Sequence, residues 1–400
     1  MTAEYYVWLQ LCLGFANDAV SRVLANYGTA KSFHAAPDSE RIAKCRLNKR
    51  QIAKLNAIPR KEVFNILNEC QKSGINIITP EDEQYPKSLL NIPDPPAVLY
   101  VKGKLPEMDS VPVITVVGPR RVSRYGEKCA YVISKTLAGC GFTVVSGGAI
   151  GGDTAAHLGA LDAGAKTVAV LGCGINCDYL KANEQLRERI SNNGCLISEY
   201  PPSMGVTKGA FQQRNRILSG LSDGVVIVEG GKGSGTLITA RCAAEQGRDV
   251  FVIPGSPYLP QYEGSNRLLS DGAKPLLDIN GIIEEYIFKY PTVINSPEAK
   301  NPMPRPEQEY NGASEVILRV QDKQQSVQEN ISIDTSMLSA DAKSIVEFLQ
   351  RSNFTEFTVD DLVDNTELDV NSVLSAVTEM EIFGILKTLP GGRFNILKDV

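Results

Sequence analysis

The chain has 400 residues, 43% of them hydrophobic and 22% charged, which is ordinary for a soluble globular protein with room for two or three domains. Its formal net charge of -5 argues against a surface coated in basic residues, so any polyanion site must be local. No stretch approaches about 18 uninterrupted apolar residues, and the start MTAEYYVWLQ lacks the basic opening of a signal peptide, so a cytoplasmic protein without a membrane partner is expected.

In chain order, residues 1–75 read as a helical domain: LCLGFANDAVSRVLANYGTAKSFHAA has the look of a helix, a glycine turn and a helix, as in SAM-like or helix-hairpin-helix modules. Gly74 to Leu105 follows as an extended, proline-rich lead-in, where Pro93, Pro95 and Pro96 forbid a helix. Then VITVVG (Val113 to Gly118), TVVSGG (Thr143 to Gly148) and KTVAVLGCG (Lys166 to Gly174) are short β-branched runs ending in glycine, each followed by helical periodicity. Phe211 to Gly255 reads as a basic helix, a buried strand, a Gly-rich turn, a second helix and a second buried strand. Strands apolar on both faces and alternating with helices imply a mostly parallel, doubly wound Rossmann-like sheet covered on both sides, over residues 76–290.

Residues 291–336 shift to Pro, Gln, Asn, Ser and Glu, the composition of a flexible linker. Residues 337–400 regain periodicity as three helices and a two-stranded wing around a Pro-Gly-Gly turn, a small winged-helix domain. Its recognition helix, Asp369 to Phe383, carries Glu379 and Glu381 and no Lys or Arg, so a duplex should repel it and a protein-binding or dimer-modulating role is expected.

Two acid-free basic clusters belong at the carboxyl ends of the sheet strands, where doubly wound folds bind ligands. Arg120, Arg121 and Arg124 form one; Lys208, Arg214 and Arg216 form the other. Either alone could be a solvated face, but two on one edge, with Phe211 able to stack on a base, point to a single-strand groove. The glycine turns should supply backbone amides to an anion, from Gly118, Gly148, Gly151, Gly152, Gly233, Ser234, Gly235 and Thr236. Asp153 and His157 lie four apart and could be an acid-base pair, or a helix cap and a packing residue. The nine cysteines mostly sit in apolar runs; Cys173 and Cys177 are the nearest pair, read as structural thiols, and neither a metal nor a cofactor is expected.

The lead-in, VVGPRRVSRYG, SGGAIGGDTAAHLGAL, FQQRNRILSGLSD, GSGTLITARCAAEQGRDVFVIPG and EGSNRLLSDGA together resemble the DNA-processing protein A family (DprA, also called Smf), over about Ile75 to Leu277. The resemblance implies a non-enzymatic protein that binds single-stranded DNA, dimerises through its Rossmann-like domain and helps load the recombinase RecA during natural transformation. It also implies a phosphate contact from Arg120 in the turn Gly118, Pro119, Arg120, a phosphate contact from Lys208 and a base stack from Phe211. Arg214, Asn215 and Arg216 match the family's Arg-Asn-Arg; Arg214 could reach DNA, and Asn215 could instead brace the turn.

Two departures bear on the anion site. Ile150 stands where the family commonly has arginine, and Pro119 removes a backbone N–H where Ser or Thr is usual. Lys232 precedes Ser234 instead of following the last glycine, so the turn is not a Walker A loop. The turn is also similar to P-G-G-x-G-T-x-x-E of the LOG phosphoribohydrolases, with Thr239 at the catalytic glutamate. A nucleotide-binding protein or a nucleoside-monophosphate hydrolase is therefore the alternative reading.

Overall fold

The computed structural model describes residues 2–179, 181–294, 338–351, 357–366, 368–382, 385–389 and 393–396. The chain divides into two compact units, Met1–Leu318 and Arg319–Val400.

Six helices open the first unit: α1 (Thr2–Leu13), α2 (Ala19–Tyr27), α3 (Ala30–Ala35), α4 (Asp38–Cys45), α5 (Lys49–Leu55) and α6 (Arg60–Lys72). Local chemistry sets their ends. Thr29 accepts the Ser32 N–H to start α3, and Asn48 and Gln51 form a reciprocal capping box on α5.

The lead-in is more than an extended segment. It contributes β1 (Ile75–Ile78) and β2 (Leu99–Gly103) to the sheet, with a short helix α7 (Lys87–Leu90) between them. The remaining elements alternate: β3 (Val113–Val117), α8 (Arg124–Gly139), β4 (Thr143–Ser146), α9 (Gly152–Asp162), β5 (Thr167–Leu171), α10 (Glu184–Asn192) and β6 (Gly194–Ser198). They continue as α11 (Ala210–Leu221), β7 (Gly224–Ile227), α12 (Gly235–Glu245), β8 (Asp249–Val252), α13 (Glu263–Ser270), β9 (Lys274–Pro275), α14 (Asn280–Tyr286) and α15 (Pro291–Ile294).

The nine strands form one sheet in the order β1-β2-β6-β5-β4-β3-β7-β8-β9. Pairing is parallel from β6 to β9 and antiparallel for β1 with β2 and for β2 with β6. From β3 the chain winds outward through β4, β5 and β6, then α11 carries it back so that β7 lies on the other side of β3. That reversal opens a crevice beyond the carboxyl ends of β3 and β7.

Alternate residues of the strands feed opposite cores. Ile114 and Val116 pack with Leu137, Ala156 and Tyr286 on one face, while Val113 and Val117 pack with Ile217, Leu221 and Ala240 on the other. A third core joins the N-terminal helices to the sheet, since Tyr6, Leu9 and Phe33 share it with Ala169, Leu171 and Leu196. Gln10 ties the two further, donating to the Glu199 carbonyl at 2.8 Å and accepting from the Tyr100 hydroxyl at 3.0 Å. Residues 1–75 and the α/β region thus share a hydrophobic core within one compact unit.

In the second unit, helices Ala340–Arg351, Val359–Asn365 and Val370–Ile382 pack around Ile345, Leu362, Val377 and Met380. Strands Leu386–Leu389 and Arg393–Ile396 pair antiparallel, and Phe357–Thr358 adds a third strand that the sequence reading lacks. Glu379 is engaged within the unit, accepting the Ser339 N–H at 2.9 Å at the start of the first of these helices. The expected linker beyond Ile294 and the Pro-Gly-Gly turn of the wing lie outside the described residues. Among the described residues no helix is long and apolar enough to cross a membrane.

Candidate nucleic-acid interface

The turn after β3, the turn after β4, the first half of α11 and the start of α12 enclose a cavity of about 280 Å³ in the crevice. Gly118, Pro119, Arg120, Gly147, Asp153, Phe211, Arg214, Asn215, Ser234, Gly235, Thr236 and Thr239 all line it, so both basic clusters and the Gly-rich turn meet at one place.

The turns after β3 and β4 touch backbone to backbone. A Cβ on Gly152 would come within 2.6 Å of the Gly118 Cα, and Gly151, at φ +92°, would meet the Pro119 carbonyl at 2.5 Å. These glycines serve close approach. The Gly152 N–H donates to the Pro119 carbonyl at 3.2 Å, and the Gly118 N–H points at Asp153 Oδ1 at 3.5 Å. Neither amide is therefore open to a ligand as the sequence suggested; Gly148 offers its carbonyl to Asn183 Nδ2 at 3.2 Å.

Asp153 takes the Gly118 amide itself. Its carboxylate also accepts the Ala149 N–H at 3.3 Å, which makes it a brace between two turns instead of a cap on α9. Burial raises its pKa, against the pull of the Arg214 charge and of the Ala149 and Gly118 hydrogen bonds. His157 lies fully buried, its Nδ1 2.8 Å from the Thr167 hydroxyl, and burial pushes its pKa down to about 3. A neutral imidazole committed to Thr167 fills a packing position.

The Arg-Asn-Arg triplet on α11 is buried throughout. Arg214 donates from Nη1 to the Gly147 carbonyl at 2.8 Å and to the Val170 carbonyl, and from Nε to Asn215 Oδ1 at 3.1 Å. Burial lowers its pKa, with Asp153 opposing. It forms part of the cavity floor. Asn215 donates to the Gly235 carbonyl at 3.2 Å and so braces the start of α12. Arg216 faces away from the cavity. Its Nε donates to Asp94 at 2.8 Å and its Nη2 to Glu199 at 2.7 Å, and it is 6% exposed, so it cannot serve as the ligand contact that the sequence suggested.

The exposed cations sit at the rim. Arg120 lies over the Phe211 ring, 5.4 Å from its centroid, and over the Tyr179 ring at 6.0 Å, while its Nη2 donates to the Tyr179 hydroxyl at 2.9 Å. The two rings are 5.2 Å apart and tilted by 43°. Sequence reasoning missed Tyr179; a tyrosine ending the loop after the β5 glycines was the available signal. Phe211 rests against Gly172, where a Cβ would come within 2.6 Å of its ring. Arg121 and Lys208 are exposed, Lys208 just ahead of the Gly209 cap of α11. Ile150, 40% exposed, puts no charge at the turn.

On the Gly-rich side, Gly233 has φ +75° and the Ser234 hydroxyl caps α12 by accepting the Thr236 N–H at 3.3 Å. Thr239, at which the sequence resemblance sets the phosphoribohydrolase glutamate, is 1% exposed. No group of three or more His, Cys, Asp or Glu that could hold a metal occurs among the described residues.

A mostly parallel, doubly wound sheet with arginines and rings gathered at its switch-point crevice defines a Rossmann-like α/β protein with a candidate anion site. The family model for DNA recombination-mediator protein A matches residues 76–287, and that for the DprA winged helix domain matches residues 334–392. The chain is 32% identical to Protein Smf of Synechocystis over 83% of this chain and 82% of that one, and 41% identical to DNA processing protein DprA of Streptococcus pneumoniae over 52% and 73%. The X-ray structure of the Streptococcus pneumoniae protein superposes with a TM-score of 0.63 at 31% identity, covering 71% of this chain and 98% of that one. This chain belongs to the DNA recombination-mediator protein A family, and its function falls in the class of DNA-processing recombination mediators.

Proposed function

We propose that this protein binds single-stranded DNA across the rim of the crevice, protects it, and loads a RecA recombinase onto it during DNA uptake, without enzymatic turnover. The observation that carries the reading is Arg120 poised over Phe211 and Tyr179 at the mouth of a cavity floored by Arg214. A guanidinium that is always charged, next to rings that accept any base, is the pairing that sequence-tolerant single-strand sites use. Arg120, Arg121, Lys208 and Phe211 contact the strand directly in this reading; Arg214, Asn215 and Asp153 hold the turns in place.

A second copy of the chain would pair through the α/β unit. Leu277 and Phe288, 80% and 93% exposed, are large apolar side chains there whose burial would favour association. The enzyme alternative lacks its carboxylate, because Thr239 stands at the glutamate position and Asp153 is held by backbone amides.

The deciding experiment is fluorescence anisotropy with labelled single- and double-stranded oligonucleotides across a salt series, with AMP as competitor. Tight, salt-sensitive, single-strand-preferring binding that ignores AMP is expected. Lys208→Ala should lower affinity and make the salt slope shallower by about 0.7. Displacement by AMP, or no binding at low salt, would overturn the reading.

A further inference from the structure

We propose that the N-terminal helices carry a second contact for single-stranded nucleic acid, in the groove between α1, α3 and α6, apart from the cavity at the sheet's carboxyl edge. The proposal extends the single-strand reading above and stands on separate residues.

The groove has a volume of about 520 Å³, and its wall includes Tyr5, Trp8, His34 and Phe64, with Arg60 and Lys61 beside them and Glu4 as the opposing carboxylate. The rings are arranged as a set. His34 lies 4.7 Å from Trp8 at 77° and 5.2 Å from Tyr5 at 66°, both edge-to-face. Phe64, on α6, is 60% exposed, a large ring standing in water where a monomeric helix would ordinarily bury it. Burial, with Arg41 and Arg60 nearby, lowers the His34 pKa, so at neutral pH it offers an uncharged ring.

Charge identifies the occupant. Arg60 and Lys61 line the groove, at the end of a run from Arg41 to Lys61 with eight Lys and Arg and no Asp or Glu, of which Arg41 and Lys44 pair with Asp38 and Glu40. Arg46, Lys49, Arg50, Arg60 and Lys61 of this run are exposed. A polyanion is the complementary partner, and ring faces inside a groove can be used only by bases that are not paired. Unstacked bases on aromatic side chains with phosphates on adjacent cations are the two halves of single-strand binding.

The chain's single tryptophan is Trp8, so its emission reports on this groove alone. The full chain is titrated with oligothymidylates of 6 and 30 nucleotides, following Trp8 emission and the anisotropy of the labelled oligonucleotide together. Saturable quenching by the 30-mer is expected. Phe64→Ala should weaken 30-mer binding at least about fivefold, the low end for one lost stack. Arg60→Ala with Lys61→Ala should make the salt slope shallower by roughly 1.4, about 0.7 for each phosphate contact. All three positions are exposed, and circular dichroism confirms that the variants fold. Arg120→Ala separates the two sites. If the crevice fails as a DNA site, Arg120→Ala leaves binding unchanged while the groove variants still lose affinity. Unchanged Trp8 emission at 30-mer saturation, groove variants that bind like the parent while Arg120→Ala loses affinity, or quenching by a proline-rich peptide but not by the oligonucleotide would each overturn the groove proposal.

Discussion

Arg120 and Arg216 both come from acid-free basic clusters and both match family motif positions, yet they do opposite work. Arg120 is exposed at the rim, held among the described residues by a tyrosine hydroxyl and two ring faces, and can turn to a phosphate. Arg216 is walled in by Asp94 and Glu199, and it joins α11 to the lead-in and to the end of β6. The difference teaches that a cluster of like charges in sequence says where a ligand edge lies. It does not say which members face the ligand, because a buried cation held between carboxylates, as Arg216 is, is committed to the fold.

The sharpest test of this contrast is Arg216→Ala, which strands two carboxylates, one of them buried, and should cost about 3–5 kcal/mol in urea unfolding. Arg120→Ala should stay within about 0.5 kcal/mol of the parent in stability. The same variant should lose single-strand affinity. Equal stability effects from the two would erase the distinction.

Phe211→Ala probes the rim from its apolar side. Loss of a stack should weaken binding by about 1–3 kcal/mol for each stacked base. Unaltered affinity would make Phe211 a packing residue over Gly172.

Beneath the rim, His157 gives the buried floor a pH signature. Its folded pKa of about 3 lies below the unfolded value of about 6.5, so between those limits the unfolded chain binds more protons and stability falls as pH drops. Unfolding free energy at pH 5 should lie about 2 kcal/mol below that at pH 7.5 from this group. Asp153 and Glu199, whose pKa values burial raises, act in the opposite sense, so the His157→Gln variant is needed to isolate the slope. A slope identical in that variant would place the titration elsewhere.

Tyr179→Phe should have the smallest effect. It removes the 2.9 Å hydrogen bond to Arg120 but keeps the ring, at a cost of about 0.5–1.5 kcal/mol in single-strand binding. Tyr179→Ala should lose more, since the second ring face goes too. Equal effects would show that only the hydroxyl matters.

Much of this was legible before any coordinates. Strands β3, β4, β5, β7 and β8 announce themselves because each is buried on both faces and ends in glycine or at a turn. β6 and β9 escaped notice because GCLIS follows a polar helix and has a single β-branched residue, and β9 is only two residues long. β1 and β2 hid within a proline-rich stretch, where pairing partners about twenty residues apart decide the structure. The meeting of Arg120, Phe211 and the Gly-rich turn was readable from their places at strand ends. Tyr179 was not, since a tyrosine after the β5 glycines is a weak local signal and its contact is with a turn 59 residues earlier.

Sequence by itself determined the class of fold and the family, because periodicity, glycine placement and ordered motifs are local properties of the chain. Tertiary structure alone decided that the N-terminal helices share the sheet's core. It also decided that Asp153 takes the Gly118 amide and the Pro119 carbonyl that of Gly152, and that of the α11 arginines one floors the cavity while the other turns away. Those outcomes depend on which groups meet across the fold and on the cost of leaving a buried polar group without a partner, and neither is written in neighbouring residues.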